Sequence, residues 1–259
     1  HTGTLDPMAT GVLPLLVGKA TKLCDIMPVK DKKYVAEIKF GLTTDTLDVT
    51  GQVKSSVDCH VTEEQFCRIL PEFTGKIMQT PPMFSAVSKN GVRLYELARK
   101  GMEIERDARP VTVYSLKNLG KTGKNTFALE VYCSSGTYIR TLADDMGKRL
   151  GVGGCMQSLR RTSACGYSVE RCVALEKARE MSAEELILPI ETAVESFPSV
   201  TVSQAQAKRF SNGGQLSLDR LRLCRNAEGL YAVKNPEGRI IGLGEICREK
   251  GLLNIKCLF

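Results

Sequence analysis

His1-Thr2-Gly3-Thr4-Leu5-Asp6-Pro7-Met8-Ala9-Thr10-Gly11-Val12-Leu13-Pro14 offers one carboxylate, Asp6, in a stretch with no other acid until Asp25. Pro7 pushes the residue before it out of the helical region and into an extended conformation. Gly3 and Gly11 let the flanking backbone turn sharply or approach a ligand closely. The expected product is a stiff loop presenting a single carboxylate, followed by an apolar strand over Val12–Val17. Local features also admit a plainer reading, in which Asp6-Pro7 caps a short helical turn.

Outward from this loop, strands and helices mix without regular βαβ alternation. Tyr34–Phe40 alternates apolar and polar residues and reads as a strand, as do Val111–Leu116 and Thr126–Cys133. Gly120–Asn125 reads as the turn joining the last two. Thr62-Glu63-Glu64-Gln65 is a capping box opening a helix to about Phe73. Asn90-Gly91 signals a tight turn, followed by a helix over Leu94–Lys100 that Gly101 stops. Tyr138–Leu150 reads as a further helix ended by Gly151. Antiparallel hairpins with interspersed helices indicate an α+β class. Glu170–Phe197 is polar, helical and acidic, a connector. Beyond it, short segments punctuated by Gly213-Gly214, Gly229, Pro236-Glu237-Gly238 and Gly242 predict a small β-barrel.

Composition limits the function classes. At 259 residues and 42% hydrophobic, the chain can bury a real core in one large domain, or a large one and a small one. Its longest apolar run, Gly11–Gly18, is broken by Pro14 and too short for a bilayer. The ten cysteines include no Cys-x-x-Cys pair and have only His1 and His60 beside them, so no zinc spacing can be assembled. Reduced, mostly buried thiols and a cytoplasmic location are expected. Net charge is +7, unevenly placed. Residues 117–161 carry 8 basic against 3 acidic side chains, residues 197–259 carry 10 against 5, and residues 176–195 reverse the balance at 2 against 6. Two separated basic segments suit a polyanion laid across two surfaces, and a basic excess also serves plain solubility.

The first fourteen residues resemble the catalytic motif of the TruB family of pseudouridine synthases. The likeness continues, in the family's order, through Asp31-Lys32-Lys33-Tyr34, Thr43–Asp48, Pro81–Ala86, Ala108–Tyr114, Cys133–Thr141 and Leu159-Arg160-Arg161-Thr162. The wording of the first motif is closer to the bacterial stand-alone branch than to the guide-RNA-dependent branch. The resemblance implies a mixed, mostly antiparallel sheet with flanking helices and a central RNA cleft over residues 1–175. An acidic connector at 176–196 and a PUA-like RNA-binding barrel at 197–259 would follow. It also implies an earlier segment, with a strand and a basic Lys-Pro element, that these residues do not contain.

The implied reaction isomerises uridine 55 in the T-loop of tRNA, breaking the N1–C1′ bond and rejoining the uracil through C5. No electron is transferred and no group imported, so no cofactor and no metal are expected, and no phosphate-cradling loop is found. The resemblance makes Asp6 the nucleophile, with attack at C1′, attack at C6 and elimination to a glycal all open. It makes Arg140 the partner that keeps Asp6 ionised, since an isolated carboxylate in a dry pocket would protonate. Tyr34 would stack on the flipped uracil and help remove the C5 proton. Tyr138 and Leu159 would line the base pocket, and His1 would fill the space the uridine leaves. Lys22, Lys32, Lys33, Arg160 and Arg161 are candidate phosphate contacts. Asp45 and Asp48 read as turn and capping residues near the cleft. The T-arm of tRNA is the expected partner, with no obligatory protein partner, no membrane and a monomeric state. The competing readings are a tRNA-folding chaperone and the catalytic subunit of a guide-RNA particle. An ordinary glycosidase lacks its second acid.

Overall fold

The strand β2 (Lys32–Phe40) buries every second residue: Tyr34, Ala36, Ile38 and Phe40 are 6% exposed or less. Period-2 burial of this kind comes from a strand with one face on a core, and the rest of the sheet assembles around it. A computed structural model of the chain describes residues 1–224 and 226–259. The chain divides into two compact units: Gly3–Leu13 with Lys30–Cys172, and His1–Thr2 with Pro14–Val29 and Val173–Phe259.

The larger unit begins with β1 (Thr10–Gly11), then β2, the small pair β3 (Leu42–Thr44) and β4 (Val53–Ser56), and helix α1 (Glu63–Ile69). The capping box at Thr62 forms as expected, with both reciprocal bonds, and a 3-10 turn carries the helix on to Phe73. Next come β5 (Gly75–Gln79), the hairpin β6 (Ser88–Lys89) and β7 (Val92–Arg93), and α2 (Leu94–Arg99). Asn90 and Gly91 both take positive φ, as a two-residue hairpin turn requires. The long hairpin β8 (Arg109–Gly123) and β9 (Thr126–Cys133) leads to α3 (Ile139–Arg149), β10 (Gly154–Ala164) and β11 (Tyr167–Ser168). The β8–β9 turn is tighter than expected: β8 runs on to Gly123 and only Lys124-Asn125 turn, with Asn125 at φ 54°. The sheet order is β1-β10-β2-β9-β8-β5, with β11 paired to β10. Every pairing is antiparallel except β1 on β10. This is a mixed α+β sheet, as read from the sequence.

The strand expected over Val12–Val17 does not form. Only Thr10–Gly11 pair with β10, and the following residues run as coil, with Leu15 69% and Val17 63% exposed. Pro14 has no N–H to offer a ladder, and Val12 already spends its own on Arg161 O at 2.8 Å. Helix α3 lies against β10 at Gly147. A Cβ there would sit 2.1 Å from the Gly154 backbone nitrogen, so only glycine permits the approach.

In the second unit the expected helical connector is broken into three single turns, α4 (Leu175–Ala178), α5 (Ala183–Leu186) and α6 (Glu191–Val194). Ser182 opens α5 with its own capping box, and Pro189 separates it from α6. The strands β12 (Ser199–Thr201), β13 (Leu216–Ser217), β14 (Leu230–Lys234), β15 (Ile240–Cys247) and β16 (Leu252–Leu258) form a half-barrel in the order β12-β14-β15-β16-β13. Helix α7 (Gln204–Ser211) packs Phe210, fully buried, into its core with Val200, Val233 and Leu253.

The ten cysteines are free, but only four are buried; Cys24, Cys67, Cys172 and Cys224 are exposed, contrary to the expectation of mostly buried thiols. Among the described residues no helix is long and apolar enough to cross a membrane.

Gly147→Ala is expected to destabilise the larger unit by about 2–3 kcal/mol, the cost of overpacking a backbone that cannot yield. An unchanged urea midpoint would show that α3 and β10 have room to part.

Candidate active site

Asp6-Pro7-Met8-Ala9 is a β-turn, closed by Ala9 N–H on Asp6 O at 2.9 Å, with Asp and Pro at the positions they favour. The Asp6 side chain does not cap a helix; it turns to Arg140. Arg140 Nε donates to Oδ2 at 3.0 Å and a terminal nitrogen donates to Oδ1 at 2.7 Å, a bidentate pair. The same guanidinium donates to Thr46 O at 3.0 Å and Phe84 O at 2.9 Å. The Arg140 side chain is 6% exposed and that of Asp6 27%, so the pair is closed on the arginine side and open on the carboxylate side.

Arg140 reaches this position from the first turn of α3. Tyr138, the N-cap, is fixed on its backbone by the buried Gln79, whose side chain accepts Tyr138 N–H at 3.0 Å and donates to Tyr138 O at 3.2 Å. The Thr43–Asp48 loop is ordered as expected. Asp48 accepts from Thr46 Oγ1, Thr50 N and Thr50 Oγ1 at 2.6–3.0 Å, and Asp45 accepts Gln52 N–H at 2.7 Å. Their product is a Thr46 carbonyl aimed at Arg140, with Leu47 forced to φ 64° beside it. The Thr46 and Phe84 carbonyls were not singled out in the sequence, because backbone acceptors carry no side-chain signature, and Gln79 lies just ahead of the Pro81–Ala86 motif.

Tyr34 and Leu159 are both buried in one core cluster, on the adjacent strands β2 and β10. Burial, with Cys133 adding and Arg161 opposing, pushes the Tyr34 phenol from 10.0 up to about 12. Tyr138 is half-buried and lines a cavity of about 140 Å³ with Gln79, Pro81, Val87 and Arg109. That cavity does not include Leu159, so the two residues expected to share a base pocket are not brought together in it.

The candidate phosphate contacts divide. Lys33 and Arg160 are exposed. Lys32 is only partly exposed, and burial followed by the nearby Arg161 charge lowers its pKa. Arg161 is 1% exposed, with Nε on Val12 O at 2.6 Å and a terminal nitrogen on Gly3 O at 3.1 Å. A guanidinium so enclosed does not meet a phosphate; the expectation for Arg161 is corrected. Lys22 and the exposed His1 fall in the second unit, where Lys22 donates to Leu258 O at 2.9 Å and His1 O accepts from Cys24 Sγ at 3.4 Å. Among the described residues no three His, Cys, Asp or Glu side chains cluster to hold a metal ion.

The Tyr34 shift has a stability consequence. Because the folded phenol holds its proton more tightly than the unfolded one, the stabilisation is complete below pH 10 and fades as pH climbs from about 10 to about 12. Cys133 and Cys155 are raised to about 11 by burial and add their own alkaline loss. The Tyr34→Phe chain should therefore lose stability less steeply than wild type over that window in urea titrations; parallel slopes would clear Tyr34 of any part in it.

Comparison with known proteins places this geometry in a family. The model for the TruB family pseudouridylate synthase (N terminal domain) matches residues 1–139, and that for the tRNA pseudouridylate synthase B C-terminal domain matches residues 140–195. The tRNA pseudouridine synthase B of Clostridium perfringens (strain 13 / Type A) is 40% identical over 95% of this chain and 84% of its own length. That of Aromatoleum aromaticum is 42% identical over 100% and 82%, respectively. Among solved structures, the Cbf5 chain of a Cbf5-Nop10-Gar1 complex superposes with a TM-score of 0.69 at 26% identity, over 95% of this chain and 68% of that one. The chain belongs to the TruB family of pseudouridylate synthases.

Proposed function

We propose that this protein isomerises uridine 55 in the T-loop of tRNA to pseudouridine, with Asp6 as the nucleophile. The observation that carries the reading is the bidentate Asp6–Arg140 pair, closed on the arginine side and open on the carboxylate side. An oriented carboxylate with one accessible flank is what attack on a ribose or a pyrimidine requires. Arg140 fixes its orientation through both oxygens and is itself enclosed. The N1–C1′ bond breaks, the uracil turns, C5 bonds to C1′, and the C5 proton leaves as N1 gains one.

Tyr34 stacks on the uracil and assists loss of the C5 proton. With its phenol raised to about 12 it is protonated at neutral pH, so that assistance works through hydrogen bonding or relay rather than a standing phenolate. Tyr138 and Leu159 line the base, and His1 occupies the space the base leaves. The exposed Lys33 and Arg160, with Lys22 and Lys32, contact phosphates. Residues 1–175 act as the catalytic part, 176–196 as connector and 197–259 as a PUA-like RNA-binding module. The half-barrel about Phe210 and its basic excess support that last assignment. The enzyme works as a cytoplasmic monomer, needing tRNA and no protein partner. The chaperone and guide-RNA readings draw no specific support from the site.

T-arm RNA carrying tritium at C5 of its uridine tests the reading. Wild type should release tritium without cofactor or guide RNA, and Asp6→Asn should release none while still binding. Arg140→Met should lower the single-turnover rate on the order of 10²–10³-fold with affinity largely kept. Tyr34→Phe should bind normally and release tritium slowly. Tight binding by wild type with no tritium released would turn the reading to a binding protein.

A further inference from the structure

Arg161 is a fully buried cation that the reaction as described does not use. Enclosing a guanidinium costs several kcal/mol unless its donors are met. No ion pair among the described residues includes it. What meets it is backbone: Val12 O at 2.6 Å and Gly3 O at 3.1 Å. These carbonyls bracket Asp6, one on each side along the chain. The exit of the loop is also stitched to the backbone of Arg161, by Val12 N–H on Arg161 O at 2.8 Å. Gly11 lies directly against it. A Cβ on Gly11, which has φ +103°, would fall 2.1 Å from Arg161 O.

The other proposed participant lies beside it. Tyr34 is the register partner of Arg161 across the antiparallel strands β2 and β10, so the two buried side chains stand next to each other on one face of the sheet. One side chain thus bonds both ends of the nucleophile's loop and lies beside the residue stacked on the base. Arginine suits this because its fixed planar fork addresses several acceptors at set angles, which lysine cannot copy.

We propose that Arg161 is a positioning residue: its guanidinium, bonded to Gly3 O and Val12 O and standing beside Tyr34 on the same face of the sheet, fixes the Asp6 loop and the Tyr34 ring relative to each other. This rests on the roles given to Asp6 and Tyr34 above. It separates Arg161 from its neighbour Arg160, which is exposed and free to serve RNA.

The test compares Arg161→Met and Arg161→Lys with wild type as full chains. Three quantities are read: backbone amide exchange without RNA, the single-turnover rate at saturating T-arm RNA, and the salt dependence of binding. Faster exchange confined to residues 3–12, with the Met rate down about 10²-fold, is the expected result, because a displacement near 1 Å costs that much. Affinity should stay within about threefold and the salt slope unchanged, since no phosphate contact is lost. The Lys variant, keeping the charge and a single donor head, should fall between Met and wild type in rate. It carries the test if the Met chain does not fold. Weaker binding with a salt slope reduced by about one and an unchanged saturated rate would make Arg161 a phosphate contact and overturn the proposal. Exchange raised evenly along the chain would overturn it too, as a general structural role. A wild type that releases no tritium would instead fail the isomerase reading, while loop exchange still decides the clamp by itself.

Discussion

The four hydrogen bonds of the Arg140 guanidinium are the constraint on which the site depends. A cation 6% exposed must have its donors satisfied, because water is not available to do it. Satisfying them draws three segments far apart in sequence to one point: the Asp6 turn, the Thr46 carbonyl and the Phe84 carbonyl. Each has its own local cause. Pro7 sets the turn, Asp48 gathers the hydroxyls of Thr46 and Thr50, and Ser85 N–H closes on Met83 O beside Phe84. Removing one acceptor would leave part of a buried charge unmet, so the loops hold one another in place through the arginine.

Two arginines grip the Asp6 segment differently. Arg140, from α3, takes the carboxylate, and Arg161, from β10, takes the backbone on either side of it. The elements that carry them lie close together at Gly147, which has no Cβ to meet the Gly154 nitrogen. The carboxylate is open on one flank, while the chain carrying it is hydrogen-bonded to Arg161 on either side. Preorganisation of this kind moves the cost of ordering from the reaction to folding.

The secondary structure was legible wherever local chemistry decides it. The Thr62 capping box, the Asn90-Gly91 turn, the Gly101 and Gly151 helix stops and the alternation of Tyr34–Phe40 all appear within a residue or two of their expected places. Val12–Val17 failed because an apolar run needs a partner strand and unbroken donors, and Pro14 denies the second. The helical character read over Glu170–Phe197 is realised as single turns, because Pro189 and the Ser182 cap divide it.

The sequence by itself determined the family: an isolated carboxylate before a proline, and the ordered motifs whose resemblance singles out an arginine and a tyrosine to go with it. Those features are local strings, and strings survive without a fold. Tertiary structure alone decided which of two adjacent arginines faces solvent. Arg160 and Arg161 are equal in sequence, but on a strand successive side chains point to opposite faces, so one is exposed and the other lies beneath the Asp6 loop at 1% exposure. Backbone acceptors were equally invisible. The carbonyls of Gly3, Val12, Thr46 and Phe84 have no residue type to announce them, and only the path of the chain turns them toward a charge.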